Sequence, residues 1–188
     1  MSTNKKSERE TAWDIFNSAD CLYSGRKVDV VITEIAKGIK TRHSKDNPIV
    51  VCILNGGVVL FGQLLPQLEF PLEIDYVHAT RYSDNVGGNE LKWISGPHCD
   101  AKDRTVILVD DILDEGTTLA GIVEYYNEIG ASKVVTVVLV EKVRERKTDI
   151  KPDFVGLKVP DRYVFGYGMD YKGYWRNAPG IYAEKEEE

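Results

Sequence analysis

Cysteine is scarce in this chain, with three residues at Cys21, Cys52 and Cys99. Their odd number and the lack of metal-ligand spacing argue against a disulfide framework and a zinc site, and they read as reduced, partly buried thiols. Long hydrophobic runs are missing, so no segment reads as a membrane span. The polar start Met1-Ser2-Thr3-Asn4-Lys5-Lys6-Ser7-Glu8 is unlike a signal peptide. A soluble cytoplasmic protein is the expectation. Positive charge is also in deficit: the formal net charge is -6, and the end Glu184-Lys185-Glu186-Glu187-Glu188 contributes to it. Such a balance argues against nucleic acid as a partner, because backbone binding needs a basic face. A small anion remains possible, since backbone N–H groups can hold phosphate. There is no internal repeat, no low-complexity linker and no glycine fingerprint of a dinucleotide-binding Rossmann domain.

What is present is an ordinary globular mixture over 188 residues, enough for one domain with a small subdomain. A short helix candidate begins near Ser7. Val28, Val31, Ile32, Ile35 and Ile39 recur at helical spacing and predict an amphipathic helix over residues 26–44. Residues 49–54 form a continuous apolar, β-branched run, the pattern of a strand buried on both faces. A helix candidate follows over 58–67, then an alternating strand over 72–77. Residues 81–88 are polar and glycine-bearing and read as a mobile loop, with a returning strand over 91–95. Strand patterns recur at 105–109, 133–140 and 154–159, with a helix over 118–129 that Gly130 stops. The alternation predicts an α/β fold with a mostly parallel sheet flanked by helices. After about residue 147 the chain turns aromatic, with Tyr163, Phe165, Tyr167, Tyr171, Tyr174 and Trp175, and reads as a cap; Tyr167, Tyr171 and Trp175 are assigned to core.

Ligands of open parallel sheets sit beyond the carboxyl ends of strands. One such end carries Val109-Asp110-Asp111-Ile112-Leu113-Asp114-Glu115-Gly116-Thr117-Thr118. Gly116 permits close backbone approach, and a helix N-terminus with two threonines presents donors to a phosphate. Carboxylates beside it suit the hydroxyls of a ribose. Acidic strand ends also occur in Mg²⁺ sites and receiver domains, and threonine before a helix is often only a cap. The full ten-residue run is more specific than any of its parts.

This run resembles the phosphoribosyl pyrophosphate signature of type I phosphoribosyltransferases. From about Ile49 to Arg176 the chain is similar to the hypoxanthine-guanine branch of that family. The resemblance implies the family's α/β fold in a single domain over 1–188, with a hood made from the N-terminal segment and about 147–188. It implies that Asp110 and Asp111 hold the ribose hydroxyls, that Asp114 is catalytic near N7 of the purine, and that Glu115, Gly116, Thr117 and Thr118 cradle the 5′-phosphate. Leu54-Asn55-Gly56-Gly57 matches the pyrophosphate loop, with Asn55 where relatives often carry lysine or arginine; without the resemblance, the two glycines read as an ordinary strand-to-helix turn. Arg81-Tyr82 matches a serine-tyrosine lid pair at its tyrosine only. Lys142 matches the lysine that donates to O6 of a 6-oxopurine, although its charged surroundings also suit a solvated surface.

The run Pro160-Asp161-Arg162-Tyr163-Val164-Phe165-Gly166-Tyr167-Gly168-Met169-Asp170-Tyr171 resembles the base-binding hood. Tyr163 would stack on the base, Val164 would offer backbone groups, and Asp170 would bind Mg²⁺. Arg176 matches an arginine on pyrophosphate. The implied reaction is Mg²⁺-dependent transfer of phosphoribosyl from phosphoribosyl pyrophosphate to hypoxanthine or guanine, giving the nucleoside monophosphate in purine salvage, by a homo-oligomer (dimer or tetramer). The alternatives are a xanthine-preferring enzyme of the same fold and a regulator that keeps the fold and binds nucleic acid. Acidic charge, Asp114 and Lys142 weigh against the regulator.

Overall fold

A computed structural model describes residues 7–81, 91–146 and 148–186, with the backbone alone of Arg81. Its centre is a six-stranded sheet in the order β4-β3-β2-β5-β6-β7. The strands are β2 (Ile49–Ile53), β3 (Glu73–Arg81), β4 (Leu91–Ser95), β5 (Thr105–Leu113), β6 (Lys133–Lys142) and β7 (Phe154–Val159). All neighbours run parallel except β3 and β4, which are antiparallel. The β-branched runs of β2, β5 and β6 are buried on both faces, as a sheet covered on two sides requires.

Helix α2 (Gly25–His43) lays Val28, Val31, Ile32, Ile35, Ala36 and Ile39 on one face. It shares that layer with α3 (Val58–Leu64) and with the sheet residues Val50, Ile107, Val109 and Val137. On the other face α4 (Thr117–Glu128) packs Leu119, Ile122 and Tyr126 against Val51, Val106, Leu108 and Val138. Neighbours in sequence thus divide between two cores, which follows from the strand's period of two. No helix among the described residues is long and apolar enough to cross a membrane.

Two strands run further than their sequence patterns suggested. β5 continues through Asp110 and Asp111 to Leu113 because its ladder with β6 persists to the pair Leu113 and Glu141. The acids therefore stand on a regular extended backbone rather than beyond its tip. Lys142 closes β6 instead of following it, and pairs with Val159 of β7.

A second sheet was not legible from the patterns. β1 (Asp20–Ser24) pairs antiparallel with β9 (Gly180–Ala183), which pairs antiparallel with β8 (Val164–Phe165). Helix α1 (Glu8–Ser18) starts with a capping box between Ser7 and Glu10. Its Phe16 stacks on Trp175 with ring centroids 4.5 Å apart, and the Trp175 indole N–H donates to the Ala12 carbonyl at 2.6 Å. Tyr167 and Tyr171 are buried, and the Tyr167 hydroxyl donates to Asp29 on α2 at 2.6 Å. The aromatic segment and the two chain ends are thereby joined to each other and fastened over the sheet.

Candidate active site

The strand order places the site. From β2 the chain moves to β3 on one side, then returns to β5 on the other. Loops leaving the carboxyl ends of β2 and β5 therefore diverge and leave a crevice, as at other switch points of open α/β sheets. Two adjoining hollows occupy it. The larger, about 440 Å³, is lined by Gly56, Asp110, Asp111, the turn from Asp114 to Thr118, and Arg176, with apolar walls that include Ile53, Ala79 and Leu119. The smaller, about 230 Å³, is lined by Asp111, Ile112, Asp114, Lys142, Tyr163, Val164, Met169 and Asp170. Asp111, Ile112 and Asp114 face both.

Gly116 takes φ +78° immediately before α4, a left-handed conformation that favours glycine. A Cβ there would lie 2.4 Å from Thr148 Oγ1 and 2.8 Å from Ile150 Cγ2, so its missing side chain also seats the loop below. The first turn of α4 has no side-chain cap at Gly116. Thr117 and Thr118 of that turn line the larger hollow, and the first N–H groups of a helix have no acceptor within the helix.

Asp110 and Asp111 form an acidic floor. Asp110 Oδ1 accepts from the Asp111 N–H at 2.9 Å, and Asp111 Oδ1 accepts from the Ile112 N–H at 2.8 Å. Burial pushes the Asp110 carboxyl well above the ordinary carboxylate range, and the negative Asp111 beside it adds to the shift. Burial also raises Asp111, against the opposing hydrogen bonds and the field of Arg176. Two carboxylates side by side, one buried and one half-buried, resist carrying two charges together. They are suited to groups that bring hydrogen-bond donors, such as a diol.

The β2 loop touches this floor directly. A Cβ on Gly56 would meet the Asp111 carboxylate at 2.1–2.5 Å, and one on Gly57 would meet the Val109 carbonyl oxygen at 2.5 Å. Both glycines are needed for the turn to close against β5, which is more than an ordinary strand-to-helix turn demands. Gly56 lines the larger hollow; Gly57 is buried behind it, and Asn55 is exposed outside the lining. Gly168, at φ +108°, presses on the Gly56 carbonyl, where a Cβ would come within 2.1 Å. This hood contact had no signal in the sequence beyond the glycine itself.

Arg176 Nη1 donates to the Gly168 carbonyl at 2.6 Å and lies 4.0 Å from Asp111 Oδ2, while Nη2 pairs with Asp170 at 2.5 Å. The other Asp170 oxygen accepts from the Gly173 N–H at 2.7 Å. No group of three or more His, Cys, Asp or Glu among the described residues could cage a metal. The carboxylates of Asp110, Asp111 and Asp170 are nonetheless hard oxygen donors of the kind that suits Mg²⁺, which is usually held by one or two carboxylates with waters and substrate phosphates.

Lys142 is buried, and its ammonium donates to Asp114 Oδ2 at 2.9 Å. These two residues, read separately in the sequence, stand together at one wall of the smaller hollow. Arg144, missed by the sequence reading, donates to Asp114 Oδ1 at 2.9 Å. Its only sequence signal is its place two residues after Lys142. Tyr163 is 47% exposed at the mouth of this hollow, with its ring edge-on to Tyr171 at 5.3 Å. Val164 is buried beside it in β8. The backbone of Arg81 ends β3, whereas its side chain and Tyr82, the candidate lid pair, fall outside the described residues, as does the rest of the polar loop through Gly88.

Known proteins share this chain's sequence pattern and fold. Residues 18–172 match the family described as phosphoribosyl transferase domain. The chain is 31% identical over 161 residues to the hypoxanthine-guanine phosphoribosyltransferase of Bacillus subtilis, covering 85% of this chain and 89% of that protein. It is 32% identical over 153 residues to the Aquifex aeolicus protein of the same name, covering 80% and 86%. Among solved structures, a hypoxanthine phosphoribosyltransferase from Staphylococcus aureus superposes with a TM-score of 0.86 at 27% identity, covering 92% of this chain and 95% of that one.

Proposed function

From the premise that the chain belongs to the phosphoribosyltransferase family, we propose that it transfers the 5-phosphoribosyl group of phosphoribosyl pyrophosphate to N9 of hypoxanthine or guanine. The products are IMP or GMP and pyrophosphate, and the setting is cytoplasmic purine salvage. The protein is a pentosyltransferase enzyme of the type I fold. The observation that supports this base choice is the contact of Lys142 Nζ with Asp114 Oδ2 at 2.9 Å, at the wall of the smaller hollow. A 6-oxopurine carries O6 and N7 on one edge. A lysine donor next to a carboxylate acceptor complements that edge when N7 bears a proton. Adenine presents an amino donor where O6 would be, so donor would face donor.

In this reading the larger hollow holds phosphoribosyl pyrophosphate. The turn from Glu115 to Thr118 binds the 5′-phosphate, Asp110 and Asp111 accept from the ribose hydroxyls, and Gly56, with Asn55 and Gly57 shaping its loop, meets pyrophosphate together with Arg176. Asp170 would hold Mg²⁺, directly or through water, and the ion would neutralise charge on the departing pyrophosphate. Tyr163 stacks on the base, and Val164 offers backbone groups to its edge. As the bond from C1′ to pyrophosphate oxygen breaks and the bond from N9 to C1′ forms, positive charge spreads over the sugar and the purine. Asp114 stabilises that charge and accepts the N7 proton.

The test is a coupled assay offering hypoxanthine, guanine, xanthine and adenine separately with phosphoribosyl pyrophosphate and Mg²⁺. Hypoxanthine and guanine should turn over, with adenine slower by about 10⁴-fold or more, since a mismatched buried hydrogen-bonding group discriminates on that scale. Adenine turnover comparable with hypoxanthine would refute the role of Lys142. Xanthine turnover above that of guanine would move the reading to the xanthine-preferring enzyme.

A further inference from the structure

Asp114 is gripped by two cations that divide its carboxylate between them. Lys142 takes Oδ2 and Arg144 takes Oδ1, each at 2.9 Å. Asp161 Oδ1 lies by both cations, 3.8 Å from Lys142 and 3.4 Å from Arg144. The two cations differ in setting. The Lys142 side chain is 10% exposed and lines the smaller hollow, whereas that of Arg144 is 32% exposed and lies outside the lining.

The reaction proposed above takes Lys142 away from Asp114. When the ammonium turns to O6, the carboxylate loses the donor that faces the hollow. It stands on the turn between β5 and α4, where nothing in the strand ladder fixes its side-chain torsions. Arg144 does not need to move for the base to enter. With Asp161 also within reach of its guanidinium, it can keep Oδ1 and leave Oδ2 turned toward the incoming N7 proton. Both contacts run through Nη1, so one cationic nitrogen carries the task.

We propose that Arg144 is a positioning residue, which acts through Asp114 and holds that carboxylate in its proton-accepting orientation after Lys142 has moved to the base. The inference rests on the reading of Asp114 given above, and the test separates the two. Single-turnover rates at saturating hypoxanthine and phosphoribosyl pyrophosphate, with Mg²⁺ present, are measured for Arg144→Gln, Arg144→Lys, Asp114→Asn and the double variant Asp114→Asn/Arg144→Gln.

Arg144→Gln should slow the rate about fivefold to tenfold, the scale of one partly exposed charge-assisted hydrogen bond. The KM for phosphoribosyl pyrophosphate should be unchanged, and Arg144→Lys should recover most of the loss. In the Asp114→Asn background Arg144→Gln should cost nothing further, because there is no carboxylate left to position. A normal rate in Arg144→Gln, an equal loss in both backgrounds, or a loss confined to the KM for phosphoribosyl pyrophosphate would each overturn the proposal. If Asp114→Asn itself turns over near normally, the chemistry assigned to Asp114 fails and the role of Arg144 falls with it. If Asp114→Asn is slow and Arg144→Gln is normal, only the role of Arg144 falls.

Discussion

Gly56→Ala isolates the contact on which the loop after β2, the proposed pyrophosphate loop, depends. The added methyl would stand 2.1 Å from Asp111 Oδ2, 2.3 Å from Cγ and 2.5 Å from Oδ1. The carboxylate cannot simply rotate, because Oδ1 accepts from the Ile112 N–H at 2.8 Å and Asp111 is only 7% exposed. Relief therefore comes either from giving up that hydrogen bond, at about 1–3 kcal/mol, or from pushing the loop off β5, at about 1–3 kcal/mol for overpacking. Both together would cost roughly 2–6 kcal/mol, or about 4–24 °C in Tm for a domain of this size. Either response also displaces a group assigned to the substrate, so the affinity for phosphoribosyl pyrophosphate with Mg²⁺ should fall. Gly62→Ala supplies the control. Gly62 lies in α3 with nothing within 4 Å of its would-be Cβ, so alanine should stabilise by about 0.5–1 kcal/mol through helix propensity. Scanning calorimetry and titration calorimetry on the two variants read both quantities. If Gly56→Ala melts with the wild type and binds phosphoribosyl pyrophosphate equally well, the argument from close approach is wrong.

Other perturbations follow from the same geometry. Asp110 is raised by burial and by Asp111, so the folded protein holds a proton that the unfolded chain releases above about pH 4. Stability is therefore lost as pH rises from that point through the folded-state titration, and the Tm of Asp110→Asn minus that of wild type should grow as pH rises above about 4; a constant difference would contradict this. Thr118→Ala removes one donor from the proposed phosphate turn and should weaken phosphoribosyl pyrophosphate about tenfold or more, the worth of a hydrogen bond to a charged group, with little change in Tm. Gly116→Val is predicted to lower Tm as well as binding, because valine must adopt φ +78° and displace Thr148, so an unaltered melting curve would show that this loop packing is unimportant. Asp114→Asn should reduce turnover about 10²–10⁴-fold while phosphoribosyl pyrophosphate still binds, and a loss of affinity with normal saturated turnover would instead make Asp114 a brace for the phosphate loop.

By itself the sequence determined which segments are strands and helices in the sheet domain, because their signals are local. A run such as Ile49-Val50-Val51-Cys52-Ile53 can only be satisfied by burial on two faces, and the period of Val28 to Ile39 can only face one core. It also marked the left-handed turn before α4, since Gly116 and the threonines stand within a few residues of one another. Tertiary structure decided what depends on partners distant in the chain. The strands β1, β8 and β9 are two to five residues long, too short to show a period, and form because segments far apart in the chain pair beside an aromatic cluster. The order that sets β2 beside β5 makes the crevice, and with it the need for glycine at positions 56, 57 and 168. Lys142 and Asp114 are 28 residues apart, and only the β5 and β6 ladder brings them to 2.9 Å. Charge runs look alike in a sequence whether they are solvated or folded inward. The weakened acidity of Asp110 and Asp111, and the grip of Arg144 on Asp114, arise from burial and proximity that only the folded chain supplies.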